Sequence, residues 1–163
     1  MADRVARALN ARPDADARAA LARCCGCRRW VERMLAARPY ASDSALFAAA
    51  EREWRRLGSS DWLEAFAAHP RIGERGGDEW ARREQAGADT ADAGTRQALA
   101  DGNRAYEQRF GHVFLICATG RSADEMTAEL QRRLGNDPER EMRIAAAEQA
   151  KITRLRLENL VTP

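Results

Sequence analysis

Apolar residues recur every three to four positions along most of this chain, and each lapse in the spacing coincides with a proline, a glycine or a capping residue. From about Asp14 to Ala37 the positions Leu21, Cys24, Trp30, Met34 and Leu35 predict one helix, stopped by Pro39. Leu46, Phe47, Ala50, Trp54 and Leu57 put a single stripe on a second helix, which Gly58 follows. A short helix from about Asp61 to Ala68 carries Trp62, Leu63 and Phe66 and ends at His69-Pro70, because proline disfavours the helical conformation in the residue before it. Residues 72–77 read as a loop. Helix resumes at Asp78 through Trp80 and Glu84, and Gly87 and Asp89 break it before a longer helix from about Asp92 to Phe110 that turns Leu99, Asn103 and Tyr106 inward.

Gly111 closes that helix, and Val113 to Ala118 is an apolar run that propensity alone makes a strand. The chain offers no second strand to pair with it, so the pattern predicts an isolated extended segment buried between helices. Its backbone N–H and C=O groups then need partners other than a ladder, and a polar ligand is one such partner. Ser122 with Glu125 spells a capping box that opens a helix through Met126, Leu130 and Leu134, ended by Gly135. Asp137-Pro138 places an N-cap before a proline at the first helical position, opening a last helix to about Leu160. The expected fold class is all-α: a single-domain helical bundle over residues 1–163 with one short extended segment around residues 112–118.

Composition agrees with that reading. A chain of 163 residues buries enough surface for one domain, and 45% hydrophobic with 32% charged residues and few aromatics suits a soluble helical protein. The 27 basic and 25 acidic residues are interspersed, so the net charge of +2 implies no polybasic surface and no nucleic-acid partner. Lys151 is the only lysine, a bias that carries no chemistry. No window reaches the roughly 18 to 20 apolar residues of a membrane span, and Met1-Ala2-Asp3-Arg4 leads into no signal-peptide core, so no membrane partner and a cytoplasmic location are expected. Cys24, Cys25 and Cys27 lack the second Cys or His pair that a zinc site requires. Cys24 and Cys27 would share a helix face with Leu21 and Val31 as small buried hydrophobes, and Cys117 in its apolar run reads the same way. No metal is expected.

Candidate chemistry starts at His69-Pro70-Arg71-Ile72-Gly73, which sets an imidazole at a helix end where it can face a cleft and move protons near neutral pH. Alone, this reads first as a helix terminator with a surface histidine. Two further stretches change the weight: Glu84-Gln85-Ala86-Gly87, and Asn103 and Tyr106 followed by Arg109 through Arg121. With the ending Glu148-Gln149-Ala150-Lys151-Ile152 through Leu160, these motifs together resemble the OHCU decarboxylase family over about Leu9 to Leu160, OHCU being 2-oxo-4-hydroxy-4-carboxy-5-ureidoimidazoline.

The resemblance implies an all-α bundle, a homodimer and a carboxy-lyase that converts this ureidoimidazoline to (S)-allantoin in uric acid and purine degradation. It makes His69 the catalytic histidine with Pro70 beside it at the substrate, and Glu84 and Gln85 the pair holding the ureido and ring amide groups, with Glu84 also catalytic through the imidazole. The family serine of that motif falls on Ala81, which removes one hydroxyl contact. Phe114, Leu115, Ile116, Cys117 and Ala118 match the segment whose main chain binds the ring, and Arg121 a family arginine near the carboxylate.

The substrate carboxylate sits next to an imine-like carbon, so electrons left by departing CO2 delocalise within the ring and no cofactor is expected. Each assignment has a plain rival: Glu84 as a solvated helix residue between arginines, Arg121 as the residue before a cap, His112 as structural or exposed at a rim. The rival for the whole chain is a non-catalytic helical module that binds a ureide or a partner protein.

Overall fold

The computed structural model describes residues 2–73, 79–89 and 91–161. Among these no strand occurs, and the elements are α1 (Arg4–Ala11), α2 (Asp14–Cys24), α3 (Arg28–Ala36), α4 (Asp43–Arg55), α5 (Ser59–Ala67), α6 (Glu79–Glu84), α7 (Ala86–Asp89), α8 (Ala93–Phe110), α9 (Ala123–Arg133) and α10 (Pro138–Glu158), with a 3-10 turn at Asn159–Val161. The all-α expectation is met, and the extended segment falls where the apolar run predicts it. The chain groups into two units, one up to Ala65 together with residues from Ala150 onward, the other Phe66–Gln149; α5 and α10 each contribute residues to both.

In the first unit the structure differs twice from the pattern. A helix at Arg4–Ala11, absent from the sequence reading, buries Val5, Ala6 and Leu9, and the Asp43 carboxylate accepts the otherwise orphaned Ala6 N–H at 2.7 Å. The single helix expected over 14–37 is two helices, because Cys25 and Cys27 are extended (φ −152° and −113°). The Glu64 carboxylate accepts the Arg28 N–H at 3.1 Å, so a side chain remote in sequence caps α3 and rewards the break. Cys24, Cys25 and Cys27 are all fully buried, at the bend rather than on one helical stripe. Burial pushes the thiols of Cys25 and Cys27 up, which keeps them neutral and suits small hydrophobes.

In the second unit local signals and outcome coincide more closely. Asp92 caps α8 by accepting the Thr95 N–H at 2.7 Å, and Leu99, Asn103 and Tyr106 are buried on its inner face. Gly111 ends α8 in the left-handed region at φ 78°, where a side chain would be strained. Ser122 and Glu125 form the reciprocal capping box of α9, both bonds at 3.1 Å. Phe114, Ile116 and Ala118 pack with Ile72, Leu99, Tyr106, Met126 and Leu130 in one core. Gly87 lies against the backbone of Arg121: a Cβ there would sit 2.0 Å from the Arg121 carbonyl oxygen, so only glycine permits this approach.

The extended segment replaces its missing ladder with side chains. Arg133 Nη1 donates to the Leu115 carbonyl at 2.8 Å, and the Cys117 N–H donates to Glu148 Oε1 at 3.1 Å. Arg133 is itself held by Glu141 through two bonds of 2.8 and 2.6 Å, and both side chains are shut away from solvent. Tyr106 Oη donates to the same Glu141 carboxylate, Asn136 Nδ2 donates to its other oxygen at 3.0 Å, and the guanidinium lies 4.6 Å from the centre of the Phe114 ring. Burial and the neighbouring carboxylate raise the Tyr106 phenol, which therefore stays a hydrogen-bond donor.

Three outcomes follow from this packing. Arg133→Ala strands a buried carboxylate and a buried carbonyl, so denaturant unfolding should report a loss of about 3–5 kcal/mol; a loss below 1 kcal/mol would mean that the pair is not structural. Gly87→Ala should cost about 1–3 kcal/mol in the same measurement, since the Arg121 backbone must move. The cap bonds from Ser122 hold the Glu125 carboxyl below its ordinary value, so its contribution is present above the unfolded pKa of about 4.3 and is lost as pH falls through the lower folded value. The stability gap between the native chain and Glu125→Ala should close on acidification.

Candidate functional site

His69 follows the last turn of α5, where its N–H donates to the Phe66 carbonyl at 3.1 Å and Pro70 prevents further helix. The ring is half-buried, and its Nε2 lies 2.7 Å from Oε1 of Gln149, a side chain on α10 with 0% exposure. A carbonyl oxygen can only accept, so the imidazole donates through Nε2–H. The imidazole is therefore half-buried, with one ring nitrogen bonded to a core side chain.

The next three residues tie the motifs together. Arg71 Nε donates to both carboxylate oxygens of Glu107, at 2.9 and 3.0 Å. The Ile72 carbonyl accepts from Asn103 Nδ2 at 2.9 Å, and the Gly73 N–H donates to Gln85 Oε1 at 3.1 Å. The His69–Gly73 loop is thus bonded to α8 by the first two contacts and to the Glu84–Gly87 motif by the third, and Gly87 in turn abuts Arg121. A cleft of about 370 Å³ opens beside this loop, walled by Arg71, Ile72, Gly73, Asn103 and their neighbours on α8, with His69 outside its lining. The Asn103 Oδ1 is buried and has no partner among the described residues.

Every candidate site residue, from His69 to Arg121, lies in the unit Phe66–Gln149. Ala81 is buried on α6, and its carbonyl accepts the Gln85 N–H at 3.2 Å. Glu84 and Arg121 are half-buried, neither fully solvated nor enclosed. Phe114, Leu115, Ile116 and Ala118 are buried and Cys117 is half-buried, with the Cys117 N–H and the Leu115 carbonyl engaged as described. His112 belongs to an aromatic cluster, its ring centre 5.2 Å from that of Phe66 and 5.5 Å from that of Tyr106.

The sequence reading gave no role to the two residues that matter most to this geometry, Glu148 and Gln149. They are consecutive on α10, so one stretch of helix holds both the imidazole and the extended segment. A signal was present: the inward stripe of α10, with Ala145, Ile152 and Leu157, also buries Glu141, Glu148, Gln149 and Thr153. Polar side chains at core positions need partners supplied by other elements, and here these are the extended segment and His69.

One cluster with metal-ligand chemistry occurs among the described residues, in the other unit: ligand atoms of Cys27, Asp61 and Glu64 lie within 4.8 Å of one another. Its carboxylates already serve as partners, Asp61 to Arg29 at 3.2 Å and Glu64 to Arg28 at 2.9 Å. No helix among the described residues is long and apolar enough to cross a membrane.

Comparison with known proteins agrees with the motif pattern. The family model described as OHCU decarboxylase matches residues 10–158. The uric acid degradation bifunctional protein TTL of Arabidopsis thaliana is 39% identical over 145 residues, which are 84% of this chain and 45% of that protein. The 2-oxo-4-hydroxy-4-carboxy-5-ureidoimidazoline decarboxylase of Haloferax volcanii is 30% identical over 132 residues, covering 78% of this chain and 79% of its own length. The chain spans less than half of the Arabidopsis protein and 44% of the Amia calva decarboxylase. A crystal structure of OHCU decarboxylase determined in the presence of (S)-allantoin superimposes with a TM-score of 0.79 at 36% identity, over 87% of this chain and 96% of that one. Motif order, fold and these similarities lead to one conclusion: the chain belongs to the OHCU decarboxylase family.

Proposed function

We propose that this protein decarboxylates 2-oxo-4-hydroxy-4-carboxy-5-ureidoimidazoline to (S)-allantoin without a cofactor, in uric acid breakdown. The observation that carries this reading is the His69 imidazole, half-buried and held at 2.7 Å by a buried carboxamide, on a helix whose preceding residue aims the Cys117 main chain. The structural relative crystallised with (S)-allantoin supports the product assignment.

The chemistry follows from the substrate. The bond from ring carbon to carboxylate breaks, CO2 leaves, and the electron pair moves toward the neighbouring imine-like carbon that bears the ureido arm. The imine π electrons pass to the ring nitrogen, which takes a proton; the carbon then takes a second proton while the hydroxyl loses one and becomes the ring carbonyl, so the net step consumes one proton. His69 delivers the proton to one face, which gives a single enantiomer. A positioned general acid–base group of this kind contributes about 10²–10⁴ in rate.

The remaining roles belong to the same reading. Pro70 shapes the approach to the ring, and Glu84 and Gln85 hold the ureido and amide groups. Arg121 faces the carboxylate before it leaves. Main-chain groups of Phe114 through Ala118 bind the ring, with the Cys117 N–H already committed to Glu148, so the contacts come from its neighbours. Ala81 offers no hydroxyl, and a water molecule can stand in its place. A homodimer, a cytoplasmic location and the working of the whole chain as one domain complete the proposal; α5 and α10, which run unbroken through the boundary between the two units, support the last.

Replacing His69 with Ala should lower the rate of OHCU loss by about 10²–10⁴, toward the spontaneous reaction. Polarimetry of the native enzyme should report (S)-allantoin alone. Unchanged turnover in the variant would remove the mechanism, and binding of allantoin without acceleration over spontaneous decay would select a non-catalytic ureide-binding module. Light scattering should give twice the chain mass of 18.1 kDa.

A further inference from the structure

We propose that Gln149 is a positioning residue that fixes His69 as the Nε2–H tautomer, so that the proton exchanged with the substrate travels through Nδ1. This inference rests on the decarboxylase reading for the identity of the proton's destination, and on geometry alone for the tautomer.

The Nε2 to Oε1 separation of 2.7 Å is that of a well-formed hydrogen bond, and the acceptor is a carbonyl oxygen on a fully buried side chain. A neutral imidazole carries one hydrogen. With that hydrogen on Nε2, the lone pair of the neutral ring is on Nδ1, and only a nitrogen with a lone pair can take up a proton. When Nδ1 is protonated, the imidazolium keeps the Gln149 bond; when Nδ1 gives its proton to the ureido-bearing carbon, the ring returns to the tautomer that Gln149 favours. Nε2 therefore keeps its hydrogen throughout, and no rotation of the ring is needed between turnovers. The acceptor is neutral, so it orients the ring without the pull toward permanent protonation that a carboxylate would exert. Glu148, the preceding residue, holds the Cys117 N–H at 3.1 Å, which fixes the helix register that presents Gln149 to the ring.

The chain has two histidines, so ring nitrogen signals of the ¹⁵N-histidine-labelled protein are assignable by the loss of one set in His69→Ala. The inference predicts that neutral His69 shows a protonated Nε2 and an unprotonated Nδ1. In Gln149→Leu the two tautomers should mix, with kcat down about 10–100-fold and KM within about threefold. Gln149→Glu keeps an accepting oxygen at the same place and should retain the hydrogen on Nε2, but its charge favours the imidazolium, so the pH profile of kcat should move to higher pH. An Nδ1–H tautomer in the native chain overturns the inference, as does a Gln149→Leu protein whose tautomer and kcat are unchanged. If the leucine variant fails to fold, the native spectrum and the glutamate variant decide. If the native chain shows no turnover above spontaneous decay while the tautomer is as stated, the decarboxylase reading falls and the tautomer assignment survives; full turnover in His69→Ala overturns the proton route through Nδ1.

Discussion

An extended segment buried in a helical protein has to find hydrogen bonds that no neighbouring strand supplies, and this constraint organises the second unit. Each buried peptide group left without a partner costs about 1–3 kcal/mol. The chain meets the cost with charged side chains, Arg133 on the Leu115 carbonyl and Glu148 on the Cys117 N–H. Burying those charges creates a second demand, which Glu141, Tyr106 and Asn136 meet around Arg133. The result is a polar network inside an apolar core, with the aromatic rings of Tyr106 and Phe114 packed over the guanidinium.

The same arrangement builds the candidate site. Because Glu148 holds the segment, the next residue, Gln149, reaches His69, and a helix that begins as core scaffold ends as the platform for an imidazole. Asn103 does the corresponding work from α8, holding the Ile72 carbonyl of the loop that follows the histidine. Ligand-binding and proton-transfer groups work best on rigid elements with their orientations locked by hydrogen bonds, and each end of the His69–Gly73 loop is locked in this way.

Much of this was legible in the residues, for identifiable reasons. The capping box at Ser122, the Asp92 cap and the glycine stop at Gly111 are local signals whose chemistry is complete within four residues, and each appears where it was read. The break at Cys25–Cys27 was not legible, because what rewards it is Glu64, far along the chain, and periodicity carries no record of a remote cap. The extended segment was legible as an apolar run without a partner, whereas the identity of its substitute partners was not. Arg133 and Glu141 look like ordinary surface residues among many charged ones, and only the fold shows that they are enclosed. His69 stood out by its position before Pro70; Gln149 did not, although its place on the inward stripe of α10 was a readable anomaly.

The central claim is that side chains of α9 and α10 replace a β-ladder, and that α10 thereby holds both the segment and the imidazole. Residue-resolved amide hydrogen exchange at Cys117 tests it most directly, in the native chain and in Glu148→Ala. The account predicts slow exchange at Cys117 in the native chain and a marked acceleration in the variant, with the core amides of α8 unchanged. Rapid exchange at Cys117 in the native chain, or equal protection without the Glu148 carboxylate, would contradict it.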